Sequence, residues 1–570
     1  MTTLAARPIR GARGQDQRQA LLATQHLRLM VLMLLFAAAV TVVVGRLALL
    51  GVLEGGGADR ARALTAARGD IVDRNGAPLA RTIDAWTIGV HPDKLIGDPA
   101  TIAQKLADLM PDKGDQAAFY AQITKPVSFT YLNRRASPAL VEAVNAIGEP
   151  GIVFERETQR LYPQSSLAAH ALGFISNGHG QSGIERALDD RLTNPATSGT
   201  PVALSIDARV QAAMESELGG AMAAMQARAG AGIVLDVRTG EIVSMASLPL
   251  FNPNRVGMAG TEQLRNSVTQ SVYELGSAFK PITMAVAIDS GVVTDMSRRF
   301  DATAPLQVGR FRIKDDHSQN RWLNIPETLI HSSNVATARI ADLVGRARLE
   351  AMFRKLGFDT KPDIELREKG GPLWPKFWAR TTTMTTAYGH GIAVTPLHLA
   401  NAYAALVNGG VWRPSTLLKV EPGHVPQGRR VISEATSYRM RQLLRLIVLD
   451  GTGRKAEAPG YRVGGKTGTA EAASGGGYDR NRNVSTFAAA FPMDAPRYVV
   501  LVMMDSPKRV AANSFQTTAA YTAAPVVSRV IARTGAMLGV MPDDRRDIDT
   551  NQLGNLVWRA PGEQHGADAE

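Results

Sequence analysis

The sequence predicts an α+β protein: a single membrane-spanning helix near the N-terminus, a mixed helix–strand domain, and a larger domain built on an antiparallel sheet covered by helices. Three observations predict it. An apolar run from Leu29 to Gly45 carries no charge. From about Ala100 to Leu204, helix and strand patterns alternate between Pro and Gly breaks. Beyond that, strand-like apolar runs lie at both ends of a long segment with helical patterns between them, the arrangement of a sheet covered by helices.

At 570 residues the chain is long for one domain, on a prior of roughly 100–200 residues each. It has no cysteine, which excludes disulfides, thiolate chemistry and Cys-ligated zinc. The net charge is +12. No nucleic-acid recognition motif accompanies it, so nucleic acid is not an expected partner. An anionic membrane surface or an acidic polymer fits better, and simple solubility accounts for much of the charge.

The anchor is predicted over residues 29–50. A helix of that length, rising about 1.5 Å per residue, crosses a bilayer core, and Arg46 near its far end can snorkel to the interface. Arg7, Arg10, Arg13, Arg18 and Arg28 precede the run against the single acid Asp16. That bias places residues 1–28 in the cytoplasm and the bulk of the chain outside. The competing reading is a cleaved signal peptide; the leader is long for one, and no convincing small-x-small cleavage site follows the apolar run. No second apolar run is long enough to span.

The outer part divides into a mixed domain (51–203), a larger domain (204–542) and a polar, mobile tail (543–570). Gly55–Gly57 marks the exit from the membrane. Asn75-Gly76, between Ile71-Val72 and Leu79, signals a structural hairpin. His170 has no partner spaced for metal binding and reads as a packed structural histidine. In the larger domain Val210–Gln226 is helical, and Gly232–Val237 with Glu241–Ala246 form a hairpin. Val463–Ala470, Val484–Phe491 and Tyr498–Met504 are three further strands, the last two joined at Pro492–Pro496.

Within this domain three short motifs follow in order: Ser277-Ala-Phe-Lys280, Ser332-Ser-Asn334 and Lys466-Thr-Gly468-Thr469. Together they describe an acylating serine site that needs no histidine, metal or cofactor. A serine hydroxyl needs a base to become a nucleophile. Lys280, three residues on along a helix, shares a face with Ser277 and can be that base. Pro281 fits only a first turn, so Ser277 sits at a helix start, where free backbone N–H groups can hold an oxyanion. A lysine near pKa 10.4 is protonated; burial and a neighbouring cation such as Lys466 lower that value. Ser318-Gln-Asn320 also matches the second motif, but in a polar loop; Ser332 and Asn334, between helices, are the better placed pair, and Ser333 has no assigned chemistry. Gly468 lets a substrate backbone approach its strand closely. Lys466 can attract a carboxylate, and Thr467 and Thr469 can hydrogen-bond it. Gly389-His390-Gly391 reads as a structural turn. No H-E-x-x-H is present, and Ser277 does not stand in a G-x-S-x-G elbow.

The chain resembles a class B penicillin-binding protein from the anchor to about residue 540. Arg68-Gly through Asp73-Arg-Asn-Gly76, Arg160 with Tyr162-Pro163, and Gly183 with Glu185 resemble the motifs of that family's non-catalytic, dimerisation-type pedestal. Tyr273 through Pro281, Ser332–Val335 and Gly389–Leu397 resemble its transpeptidase domain, a penicillin-binding/β-lactamase-like fold. Val272–Lys280 and Arg310–Asp316 point to the division-specific subtype of Gram-negative bacteria. The resemblance implies that Ser277 attacks the penultimate D-alanine carbonyl of a peptidoglycan stem peptide. Lys280 is then the base, and Ser332, oriented by Asn334 and linked to Lys466, relays the proton to the leaving amine. Lys466, Thr467 and Thr469 hold the terminal carboxylate, and the N–H groups of Ser277 and Thr469 form the oxyanion hole. It also implies β-lactams as ligands, a single-pass place in the inner membrane with the catalytic domain in the periplasm, and a polytopic glycosyltransferase and other division proteins as partners. An elongation-specific transpeptidase shares all three motifs. A β-lactamase or D,D-carboxypeptidase, and a non-catalytic scaffold or β-lactam sensor, are the remaining alternatives.

Overall fold

The computed structural model describes residues 30–46, 68–474 and 477–559, with side chains except at 472–481. The predicted tail 1–28, the glycines 55–57, residues 29 and 47–50 of the predicted anchor, and residues 560–570 lie outside the described residues. Contacts divide the chain into residues 1–66 and 67–570. In the first unit, residues 30–46 form a helix (α1), apolar apart from Thr41 and Arg46. Among the described residues no helix is long and apolar enough to cross a membrane.

The second unit opens with the pedestal. Its sheet takes β1 (Ile71–Val72), β2 (Pro78–Val90), β3 (Thr130–Ala136), β4 (Ile152–Leu161) and β5 (Val202–Ala203). The order is β3-β2-β1-β5, with β4 pairing β2 as well. The expected hairpin at Asn75-Gly76 forms: Ile71 pairs with Ala80, and Gly76 adopts φ +87°, a region that favours glycine. β1 also pairs in parallel with β5 from the far end of the segment. The turn docks on the helix that follows. Asp73 accepts from the N–H groups of Asn75 (2.8 Å), Ala77 (2.8 Å) and Ala208 (3.1 Å), while Asn75 Nδ2 donates to Asp207 at 3.0 Å.

Four residues that sequence reading grouped only by resemblance form one buried cluster. Glu185, fully buried, receives Arg68 Nε at 2.6 Å, Arg160 Nε at 2.7 Å and Tyr162 OH at 3.2 Å. Asp189 takes a second bond from Arg68 at 2.7 Å. A carboxylate buried among two cations is held by geometry; losing it would leave Arg160 buried without a carboxylate and Arg68 with Asp189 alone. His170 is packed, as expected: its Nε2 bonds the Gln263 carbonyl at 2.7 Å, and its ring meets Phe251 edge-on. Burial pushes it down to about 4.

The larger domain starts with helix α2 (Ala208–Met225) and the hairpin β6 (Ala229–Asp236) and β7 (Ile242–Leu248). The middle holds α3 (Lys280–Asp289), α4 (Ile325–Ile330), α5 (Asn334–Val344), α6 (Pro396–Val407) and α7 (Glu434–Asp450). Then come β8 (Gly464–Ser474), β9 (Gly477–Phe491), β10 (Tyr498–Asp505) and α8 (Ala523–Thr534). The five strands form one antiparallel sheet in the order β8-β9-β10-β6-β7, as the sequence predicts. Side chains alternate between its faces. Val234, Val500 and Val502 pack on α2 and α8. Ile233, Val499 and Leu501 pack on the core of α3, α5 and α6. Both faces are covered, so the strands read as continuous apolar runs.

The sheet's margins are closed differently. The outer side of β8 meets the turn that carries Ser277. At β7, the side chain of buried Gln211 from α2 donates to the Met245 carbonyl at 2.9 Å and accepts from the Met245 N–H at 2.8 Å.

The tail predicted to be mobile beyond Asp543 is packed at least to residue 559. Ile548 and Leu553 are buried in the main core, and Asp547 pairs with Arg445 at 2.6 Å. A few apolar residues among many polar ones, Leu556 and Val557 packing beside the buried pair, help dock the segment, a sparse signal that average polarity conceals.

Candidate active site

Ser277 was expected to begin an α-helix. It lies instead in a 3-10 turn, Gly276–Phe279, that leads into α3, and the Lys280 N–H closes this turn on the Ser277 carbonyl. In a 3-10 turn residues i and i+3 eclipse, so Ser277 and Lys280 still share a face. Pro281 occupies the first turn of α3. Buried Phe279 wedges against Phe353 and Phe358, with ring centroids at 5.7 and 5.3 Å, and Tyr403 OH donates to the Ala278 carbonyl at 2.9 Å.

Glycines bring three backbones together here. A Cβ on Gly276 (φ +55°) would stand 2.7 Å from the Thr469 oxygen. One on Gly389 (φ +79°) would stand 2.3 Å from the Gly276 oxygen, so the Gly389–Gly391 turn is structural, as read. One on Gly468 would stand 2.3 Å from the Leu275 oxygen. The reading of Gly468 therefore needs correction: the backbone that its missing side chain admits is the protein's own.

Ser332 sits between α4 and α5 with φ +56°, a strained region for a residue other than glycine. Its hydroxyl lies between the two motif lysines: Lys280 Nζ donates to Ser332 Oγ at 3.1 Å and Lys466 Nζ at 2.9 Å. Lys280 also donates to the Ser332 carbonyl. An oxygen that accepts twice keeps its own hydrogen to donate. Among the described residues no hydrogen bond joins Ser277 Oγ to Lys280, so the structure gathers Lys280, Ser332 and Lys466 tightly and leaves the Ser277 hydroxyl uncommitted. Apo sites often tighten only with substrate.

Both lysines are fully buried. Burial brings Lys280 down to about 7, against the opposing pull of Asp315 and Asp316. A lysine at its ordinary value would be only ~0.03 % neutral at pH 7; Lys280 is neutral about half the time, as a base must be. Burial and the Lys466 charge were the expected causes. Burial leads, as expected, and the cation acts in the other direction: Lys466 is held well below the ordinary lysine value by burial and then by Lys280. A substrate carboxylate arriving at Lys466 favours its protonated form.

Asn334 was expected to orient Ser332. Its Nδ2 donates instead to the Lys314 carbonyl at 3.0 Å. Ser333, given no chemistry, caps α5 and donates to Asp315 at 2.7 Å, while the Val335 N–H meets the same carboxylate at 2.9 Å. The Arg310–Asp316 stretch is thus fastened around the motif turn. Asp315 was missed; two adjacent acids in a polar stretch gave no pattern that distinguishes them. Ser318 bonds Asn320 at 2.8 Å on an exposed loop, a self-contained turn. Thr467 Oγ1 accepts from Lys466 Nζ at 3.0 Å and shares a bond with Thr452 at 2.9 Å. Thr469 Oγ1 accepts from the Ala519 N–H at 3.1 Å, which leaves its hydrogen free for an anion. Thr452 and Ala519, 15 and 50 residues from their partners along the chain, had no sequence signal.

The penicillin-binding protein transpeptidase domain profile matches residues 230–532, and the penicillin-binding protein dimerisation domain profile matches residues 63–200. The chain belongs to the class B penicillin-binding proteins. Among similar members, a probable peptidoglycan D,D-transpeptidase FtsI of Caulobacter vibrioides is 41% identical over 502 residues, covering 85% of this chain and 84% of its own. The peptidoglycan D,D-transpeptidase FtsI of Escherichia coli K12 is 29% identical over 525 residues, covering 87% of each. A crystal structure of penicillin-binding protein 3 from Mycobacterium tuberculosis complexed with aztreonam superposes with a TM-score of 0.66 at 27% identity, covering 84% of this chain and 97% of that one. In this penicillin-binding protein the three motifs lie where the 3-10 turn leading into α3, the α4–α5 junction and the edge strand β8 converge.

Proposed function

We propose that this chain is a peptidoglycan D,D-transpeptidase of cell division that works through an acyl-enzyme on Ser277. The observation that carries the reading is Ser332 Oγ held between two buried lysines, 2.9 and 3.1 Å away, beside the turn of Ser277. Neutral Lys280 takes the Ser277 proton as Oγ attacks the penultimate D-alanine carbonyl of a stem peptide. The N–H groups of Ser277 and Thr469 receive the oxyanion. The tetrahedral adduct collapses to an ester, and the proton passes through Ser332 and Lys466 to the departing D-alanine amine. Lys466, Thr467 and Thr469 hold the terminal carboxylate. An amine from a neighbouring stem then attacks the ester, forms the cross-link and returns the proton to Ser277. β-Lactams acylate Ser277 by ring opening.

Residues 29–50 are the anchor in this reading, with the N-terminus in the cytoplasm of a Gram-negative cell and the catalytic domain in the periplasm. The charge-free run and the arginines before it support that orientation. A polytopic glycosyltransferase is the proposed partner of the anchor and pedestal. Intact mass after penicillin, with peptide mapping, tests the site. A stable adduct on Ser277 that is absent from Ser277→Ala is expected; an adduct on the Ser277→Ala protein refutes it.

A further inference from the structure

Residues 547–558 lie beyond the stretch matched by the transpeptidase profile, 230–532, yet they return to both walls of the site. Asp547 pairs with Arg445 of α7 at 2.6 Å, and Gln442 of the same helix donates to the Asp549 carbonyl at 2.6 Å. Arg445 also donates to the Val463 carbonyl at 2.9 Å, just before β8 and its Lys466. Farther on, Asn324 Nδ2 donates to the Leu556 carbonyl at 2.6 Å, and the Trp558 N–H donates to Glu327 Oε1 at 3.0 Å. Asn324 and Glu327 are the reciprocal cap of α4, the helix that delivers Ser332. The Glu327 carboxylate is fully buried and also receives Arg321 at 2.8 Å and the Asn324 N–H at 3.0 Å. The Arg321 guanidinium lies over the Trp558 ring, 5.2 Å from its centroid.

We propose that residues 547–558 are a positioning element of the acylation site, a brace that sets the separation between α4 with Ser332 and β8 with Lys466. The inference rests on the assignment of Ser332 and Lys466 to the proton relay. A relay requires its groups to be held within about 0.5 Å. One end of the segment grips the cap of α4, and the other grips Arg445 of α7, which in turn holds the corner that leads into β8. Removing it takes a partner from Glu327, Asn324 and Arg445 together, so the two walls, which α7 and the Lys466–Ser332 bond also join, lose one of their ties. A segment that served stability alone could attach anywhere on the domain; this one attaches to the cap of α4 and, through Arg445, to the corner before β8, the two elements whose spacing sets Ser332 Oγ against Lys466 Nζ.

The test compares the full chain with a chain ended after Arg546, and with Asp547→Asn and Glu327→Gln. The limiting acylation rate and the apparent affinity for penicillin are measured across pH. The shortened chain is expected to acylate at least tenfold more slowly at saturating penicillin, with affinity changed less than threefold. Its pH midpoint is expected to move to the alkaline side, because water reaches the lysine pair. The charged groups that face Lys280, namely Lys466 on β8 and Asp315 and Asp316 from the segment before α4, all remain, so the shift reports hydration. A peptide of residues 547–559 added in trans is expected to restore the rate. Full-rate acylation by the folded shortened chain overturns the brace. So do equal losses in rate and affinity with an unmoved midpoint, which mark a role in stability alone. If the shortened chain does not fold, the two point variants carry the same comparison. A full chain that never labels at Ser277 overturns the site assignment and the brace with it, and is told apart because the intact protein itself is inert.

Discussion

Lys280→Met should make this protein more stable at neutral pH while abolishing acylation. Lys280 is fully buried and sits near pKa 7 instead of 10.5. The unfolded chain holds that proton until about pH 10.5, whereas the folded chain releases it near 7, so between those values the unfolded state binds more protons and stability rises with pH. The penalty is complete below pH 7 and vanishes as pH passes the unfolded value. At about 1.36 kcal/mol per unit it amounts to roughly 4 kcal/mol at pH 7, roughly 2 at pH 9 and under about 1 at pH 10. Methionine removes it without changing the length of the side chain much. Against this stands the loss of the bonds to the Ser332 carbonyl and hydroxyl, which costs about 1–3 kcal/mol. The desolvation term wins at pH 7, leaving Lys280→Met about 1–3 kcal/mol more stable, and the advantage reverses near pH 9–10. Urea denaturation of both proteins at pH 6, 7, 9 and 10 reads this directly. A variant that is less stable at pH 7, or a difference that does not change with pH, refutes the account of how Lys280 is made basic.

Other expectations follow from the same geometry. The acylation rate of the unaltered protein should rise about fivefold to tenfold from pH 6 to 8 and then level off, as Lys280 loses its proton; a hundredfold rise without a plateau would indicate an ordinary lysine. Glu185→Ala should cost about 3–5 kcal/mol in urea unfolding, because Arg68 and Arg160 stay buried without it; a loss below about 1 kcal/mol would mean that water replaces the carboxylate. Gly389→Ala should slow acylation at least tenfold, since its Cβ must displace the Gly276 carbonyl; an unchanged rate would show that the Ser277 turn does not depend on this contact.

The motifs were legible because each carries a local rule. The Ser277–Lys280 spacing survives the change from α to 3-10 turn, since both place i and i+3 on one side. Strands β6 to β10 were legible as apolar runs between turn residues. Contacts between distant segments were not. Nothing near Asn334 announces that its amide fastens Lys314, and nothing near Thr469 points to Ala519. Gly468 was noticed for the right property, the absence of a side chain, but which backbone fills that space is settled by packing. The tail beyond Asp543 was misjudged because polarity averages over the few residues, Ile548 and Leu553, that anchor it.

The amide of Gln211 against Met245 has a consequence for how copies of this protein behave near one another. A sheet margin with unpaired N–H and C=O groups is a template on which a second chain can grow. At β7 that template is occupied at Met245, because one side chain presents a donor and an acceptor as a neighbouring strand would. At β8 the approach of Gly276 and Gly468 presses a turn against the other margin. Concentrated side by side, such molecules meet at β7 a margin already filled at Met245 and at β8 one crowded by the turn of the reactive serine, and both hinder strand-to-strand clumping.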